Sequence, residues 1–182
     1  MLVCLFASPL QAETVAKAFF EQCVGPAFER QLRAQHSLLA CHADQSCSTY
    51  DPLEFSATVD RQCFLTAIDV CVVFDNADAC VTELVGLLAT RNQALRDAFP
   101  ENRVRDAIAQ AQGFAKVRLE RNLDAEQPGH TPPCFDERVR ALFRAAEASE
   151  STLCDVFAVS QQNYRAHAIQ RDTVAIEAAV EQ

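Results

Sequence analysis

The chain has 182 residues, enough for one domain with a buried core, and carries 25 Asp and Glu against 16 Lys and Arg, a formal charge of −9. That balance argues against a nucleic-acid partner, whose phosphates need clustered Lys and Arg, and suits a basic partner drawn in by long-range attraction. The longest apolar stretch, Cys63 to Phe74, is interrupted by Asp69 and is too short to span a bilayer.

Residues 1–12 are uncharged and close on Ser8-Pro9-Leu10-Gln11-Ala12. They read as the tail of a secretory signal cleaved after Ala12, with Cys4 leaving alongside. A basic segment ahead of the apolar stretch is missing, and Leu10 stands where a small residue is usual; a start codon placed too far downstream explains the first departure. The expected mature domain, 13–182, keeps eight cysteines at 23, 41, 47, 63, 71, 80, 134 and 154. An even set in an exported chain points to disulfides, hence to a periplasmic or secreted protein.

Helical signals follow in order. A first helix is expected over about 13–24, closed by Gly25-Pro26, and a second runs to about His42. Asp51-Pro52-Leu53-Glu54 opens a third, with Asp as N-cap, Pro at the first helical position and Glu three residues after the cap. Its apolar face carries Cys63, Phe64, Ala67, Ile68, Cys71 and Val72, and it ends near Phe74-Asp75-Asn76. The next, about 76–98, presents Cys80, Leu84, Leu87, Leu88, Leu95 and Phe99 at helical spacing until Pro100 breaks it. One continuous helix is predicted over 101–123 from Val104, Ile108, Ala111, Ala115 and Leu119. Residues 124–133 form a Pro-rich loop. Helices over about 134–148 and 151–180 complete the chain, with a possible break at Ser149-Glu150-Ser151 and fraying expected beyond Asp172, where the apolar stripe thins. The fold class is all-α, a single-domain helical bundle of about five to seven helices stapled by disulfides.

Cys71 and Cys80 sit at mirrored distances from the turn at 74–76, so an antiparallel hairpin brings them within bonding range. Cys41 with Cys47, across the loop at 43–51, is a second expected pair. Cys23, Cys63, Cys134 and Cys154 are left open, because eight cysteines allow 105 connectivities.

Site chemistry is sparse. His36, Cys41, His42 and Cys47 form the one His/Cys cluster, but adjacent Cys41 and His42 diverge on a helix and the spacing fits no familiar zinc motif, so no metal is expected. There is no Gly-x-Ser-x-Gly, no Cys-x-x-Cys and no glycine-rich phosphate loop, so neither an enzyme nor a cofactor is expected. Carboxylates such as Asp124 with Glu126, or Glu147 with Glu150, read first as solvated faces. His130 reads as a turn residue, Phe19, Phe20 and Phe28 as core, and Tyr164 with Arg165 as a candidate exposed contact. Asp124 and Glu126, on a loop stiffened by Pro128, Pro132 and Pro133, are the candidate binding residues for a basic partner.

Ala111-Gln112-Gly113-Phe114, leading to Arg118 and Arg121, resembles in character a helix of the small periplasmic cysteine-rich helical proteins related to the lysozyme inhibitor LprI. Phe114 stands where those proteins carry Trp, the spacing to Arg differs, and no Cys follows before Cys134. The resemblance implies an exported helical domain that binds or inhibits a c-type lysozyme, and it carries over no inhibitory residue. The function expected is therefore that of an exported, non-catalytic binding protein with a protein partner. The alternative is a structural or assembly accessory of the cell envelope that docks through a helix face.

Overall fold

A computed structural model describes residues 15–25, 52–72, 77–125 and 149–180, with backbone alone at 52–58, 72 and 150. Among them the chain is an all-α bundle of six helices: α1 (15–25), α2 (Pro52–Val72), α3 (Ala77–Ala98), α4 (Glu101–Gln110), α5 (Gly113–Asp124) and α6 (Glu150–Val180). None is long and apolar enough to cross a membrane.

Pairings fix the directions. Cys71 bonds Cys80 across the α2–α3 turn, with their Cα atoms 5.6 Å apart, and Asp60 meets Arg91, so α2 and α3 run antiparallel. A second disulfide joins Cys23 of α1 to Cys63 of α2 and holds α1 against the hairpin. Cys154 is also disulfide-bonded. The expected Cys41–Cys47 pair, Cys134 and the capping role of Asp51 lie outside the described residues.

The bundle is organised around α6, whose 31 residues span about 46 Å at the α-helical rise. Ser149 precedes it as N-cap, its hydroxyl accepting from the Thr152 N–H, while its own N–H donates to Asp78 at the start of α3. Asn92 further along α3 reaches Val159 of α6, so these two helices run parallel. Two apolar clusters share α6. One joins α1, α2 and α3 to Val156 and Val159, with Phe20 and Phe64 edge-to-face at 6.2 Å. The other joins Phe99, α4 and α5 to Ile169, Val174 and Ile176.

Two expectations need correction. The end of α6 does not thin into solvent: residues 172–174, 176 and 178 are buried beneath α4 and α5. A helix enclosed on every side has no stripe to display. Nor is 101–123 one helix. It ends at Gln110, Ala111 and Gln112 are extended (ψ 149° and 159°), and Gly113 restarts it at φ +58°. The break turns the chain back, so that Arg118 meets Asp172 while Ala125 meets Arg165, and α5 runs antiparallel along α6. A Cβ at Gly113 would meet nothing within 4 Å, so the cost of a side chain there is that of the left-handed backbone alone. Gly113→Ala should lower stability by about 1–2 kcal/mol in urea titration, and an unchanged midpoint would show that the corner is not strained.

Candidate functional site

Polar residues occupy core-facing positions on three helices. Asp60 precedes Cys63 and Phe64 on the buried face of α2, Asn92 lies between Leu88 and Leu95 on α3, and Asn163 and His167 are one turn apart on α6. Packing brings all of them together. Asp60 is fully buried and accepts from Arg91 Nε at 2.6 Å and Arg91 Nη2 at 2.8 Å, a bidentate pair. His167, 1% exposed, places Nε2 at 2.9 Å from Asp60 Oδ2. Asn163 Nδ2 donates to Asn92 Oδ1 at 2.8 Å and lies 3.4 Å from Asp60 Oδ2, while Asn92 Nδ2 donates to the Val159 carbonyl at 3.0 Å.

Burial alone would raise the Asp60 pKa, but hydrogen bonds from His167 and Arg91, with the charge of Arg91, outweigh it and hold the carboxyl below its ordinary range. Asp60 is therefore an acceptor-only carboxylate, and His167 Nε2 carries the proton between them. An oriented Asp–His pair supplies two of the three members of a hydrolytic triad, but the other ring nitrogen, Nδ1, is buried and has no hydrogen-bond partner among the described residues. The cluster ties α2, α3 and α6 together.

A second ionic tier binds α4 and α5 to α6. Arg118 grips buried Asp172 through Nε and Nη2 at 2.6 and 2.5 Å, and Arg171 Nε adds a third donor at 2.9 Å. Arg103 clamps Glu177 with two bonds of 2.7 Å and lies 4.3 Å over the Phe99 ring. The Glu177 hydrogen bond raises the Arg103 pKa further, so this cation is permanent.

Beside the Phe99-Pro100 corner opens a cleft of about 670 Å³. Leu95, Phe99, Val104, Leu123, Ala166 and Ile169 make its apolar lining; Gln93, Arg96, Asp97, Glu101 and Gln162 make its polar part. Arg96 donates to Gln93 Oε1 at 2.9 Å, and Gln93 Nε2 donates to Asp97 Oδ1 at 2.7 Å. Glu101 pairs with Arg105 one turn on. Asp97 has no cationic partner among the described residues. A volume of this size suits a small-molecule ligand.

The residues singled out in the sequence are only partly brought together. Asp124 is exposed at the end of α5, next to Leu123 of the cleft lining; Glu126, Glu147 and the 126–133 segment with His130 lie outside the described residues, as do His36, His42, Cys41 and Cys47. Tyr164 is exposed, and Arg165 is occupied by the Ala125 carbonyl. Phe114 is 76% exposed and Val117 59%, one turn apart on α5, with Arg118 lying 5.8 Å from the Phe114 ring centroid. Asp60 and His167 were not singled out; a charged residue in the apolar face of α2 was the available signal. Compared with protein-family models, with curated proteins and with solved structures, the chain finds no match.

Proposed function

We propose that this chain is an exported, non-catalytic binding protein for a basic protein partner, with a lysozyme-class hydrolase as the partner to test. One observation carries the reading: among the described residues, several carboxylates outside the ion pairs stand exposed to water. Arg91, Arg103, Arg105, Arg118 and Lys17 pair with Asp60, Glu177, Glu101, Asp172 and Glu83. Asp69, Asp106, Asp124 and Asp155 are exposed and have no ion pair among the described residues. A net charge of −9 thus becomes an acidic exterior on a cross-linked scaffold, which steers a basic partner and limits the entropy lost on docking. Disulfides in a chain of this kind fit an oxidising compartment.

The test is inhibition of several c-type lysozymes across a salt series. Inhibition is expected at low salt and should fade as added salt screens exposed charges beyond about 8–10 Å. Absence of inhibition at low salt would overturn the lysozyme reading. A second reading, a docking accessory of the envelope, is favoured by the exposed Phe114 and Val117 on α5, since contiguous apolar side chains on a helix face are common anchors.

A further inference from the structure

We propose that the outer face of α5 is a self-association surface, through which two copies of this chain pair their α5 helices antiparallel about a two-fold axis. The inference takes up the face that the envelope-docking reading uses, gives it a different occupant, and is independent of the lysozyme reading.

The stripe comes first. Phe114, Val117, Arg121 and Asp124 follow one another at spacings of three, four and three residues, and all of them are exposed. That is the 3.5-residue repeat with which two helices pack side by side. Leu119, Asn122 and Leu123 are buried on the opposite side, where α5 meets the second apolar cluster. The stripe therefore points away from the chain's own core.

Charge selects both the occupant and its direction. The apolar half of the stripe, Phe114 and Val117, precedes the charged half, Arg121 and Asp124. A uniformly acidic or basic partner would meet one of those two charges as a like charge. A parallel second copy would set Arg121 against Arg121 and Asp124 against Asp124. An antiparallel copy centred on Val117 removes both conflicts. Each Arg121 then lies over the Phe114 ring of the other copy, and Val117 meets its own counterpart. Each Asp124 stands about 10 Å along the helix from the axis, close to where α5 of the other copy starts. That start lacks what Asp124 supplies. Gln112, the N-cap residue, makes no side-chain hydrogen bond to it, the first turn holds no acidic residue, and the space around Gly113 is open. A carboxylate there accepts from first-turn N–H groups and is favoured by the macrodipole. Arg118 flanks the axis, but Asp172 of its own chain already takes its charge. The surface is thus complementary to itself, which is the requirement for a two-fold interface. Twelve residues on each side make a small contact, so the dimer is expected to be weak and reversible.

The experiment is sedimentation velocity on the full chain from about 1 to 500 µM, at about 0.15 M salt, where the −9 charge on each copy is screened beyond about 8 Å. A reversible monomer–dimer equilibrium is the expected result. Val117→Glu places two carboxylates at the axis and should weaken the dimer about tenfold or more. Phe114→Arg sets a cation against Arg121 of the other copy and should do the same. Adding Arg121→Glu to Phe114→Arg should restore the dimer, because antiparallel pairing then joins opposite charges, whereas a parallel pair would be weakened further. Asp124→Lys should weaken the dimer several-fold, while Asp69→Lys, the same change in net charge at an exposed site on α2, should not. All these side chains are exposed, so far-UV circular dichroism should match wild type in each variant. A monomer at every concentration would leave the face to some other partner and overturn the proposal. So would a Val117→Glu protein that dimerises as wild type does, or a Phe114→Arg protein that Arg121→Glu fails to rescue. Lysozyme inhibition is measured on the Val117→Glu protein, so neither result depends on the other.

Discussion

Asp60→Ala should cost about 3–5 kcal/mol of folding stability, the largest loss expected from a single side chain here, because it leaves a buried cation without its partner. Two bonds to Arg91 and one to His167 vanish together, and Asn163 loses a neighbouring acceptor. What destabilises is less the absence of the carboxylate than the stranded donors that remain. Removing the whole cluster should therefore hurt less than removing its centre: Asp60→Leu with Arg91→Met and His167→Leu, which replaces charge by hydrocarbon, should recover most of the loss. Urea titration followed by far-UV circular dichroism measures both. A loss below about 1 kcal/mol in Asp60→Ala would show that Arg91 escapes to water and that the cluster is not structural.

The same carboxylate sets a pH dependence. Its folded pKa lies below the unfolded value, so it stabilises the fold at neutral pH, and that contribution is lost as pH falls through the folded pKa. Wild-type stability should drop faster on acidification than that of Asp60→Ala, and parallel profiles would count against the pairing.

Local chemistry made most of the helix ends legible. Pro100 stops α3, Pro52 opens α2, and the symmetry of Cys71 and Cys80 about one short turn gives the hairpin its disulfide. What local chemistry hides is tertiary. Ala111 and Gln112 are good helix formers and a lone glycine is tolerated in a helix, so nothing nearby announces the corner at Gly113. It exists because α4 and α5 must both lie on α6. The end of α6 looked weak because periodicity signals a helix with one buried face, and five successive residues from Ala166 to Gln170 are buried. His167 and Asp60 stand 107 positions apart, and no short-range pattern connects them. The acidic exterior was legible as net charge, but the pairing that buries Asp60 and Asp172 against Arg91 and Arg118 is a property of the packed helices.

Replacing Cys23 and Cys63 together with Ala should lower stability by about 4 kcal/mol, close to the effect of Asp60→Ala but for a different reason. The bond spans 40 residues, against 9 for Cys71–Cys80. In the chain-entropy description the longer loop gains the unfolded state more freedom when opened, about 4 kcal/mol against about 2.6 for the shorter. Among the described residues, α1 is otherwise held by Ala16, Phe20 and Val24, which bury in the first core cluster, by Phe20 against Phe64, and by Lys17 reaching Glu83 at 3.5 Å between exposed side chains, a contact of small worth. An isolated helix of eleven residues is marginal in water, so α1 depends on its attachment. Amide exchange should therefore quicken over 15–25 in the double variant before the rest of the bundle opens, while amides near Asp60 and His167 stay protected. A loss under about 1 kcal/mol with α1 still protected would mean that apolar packing alone seats the helix, and that the disulfide records proximity without contributing to it.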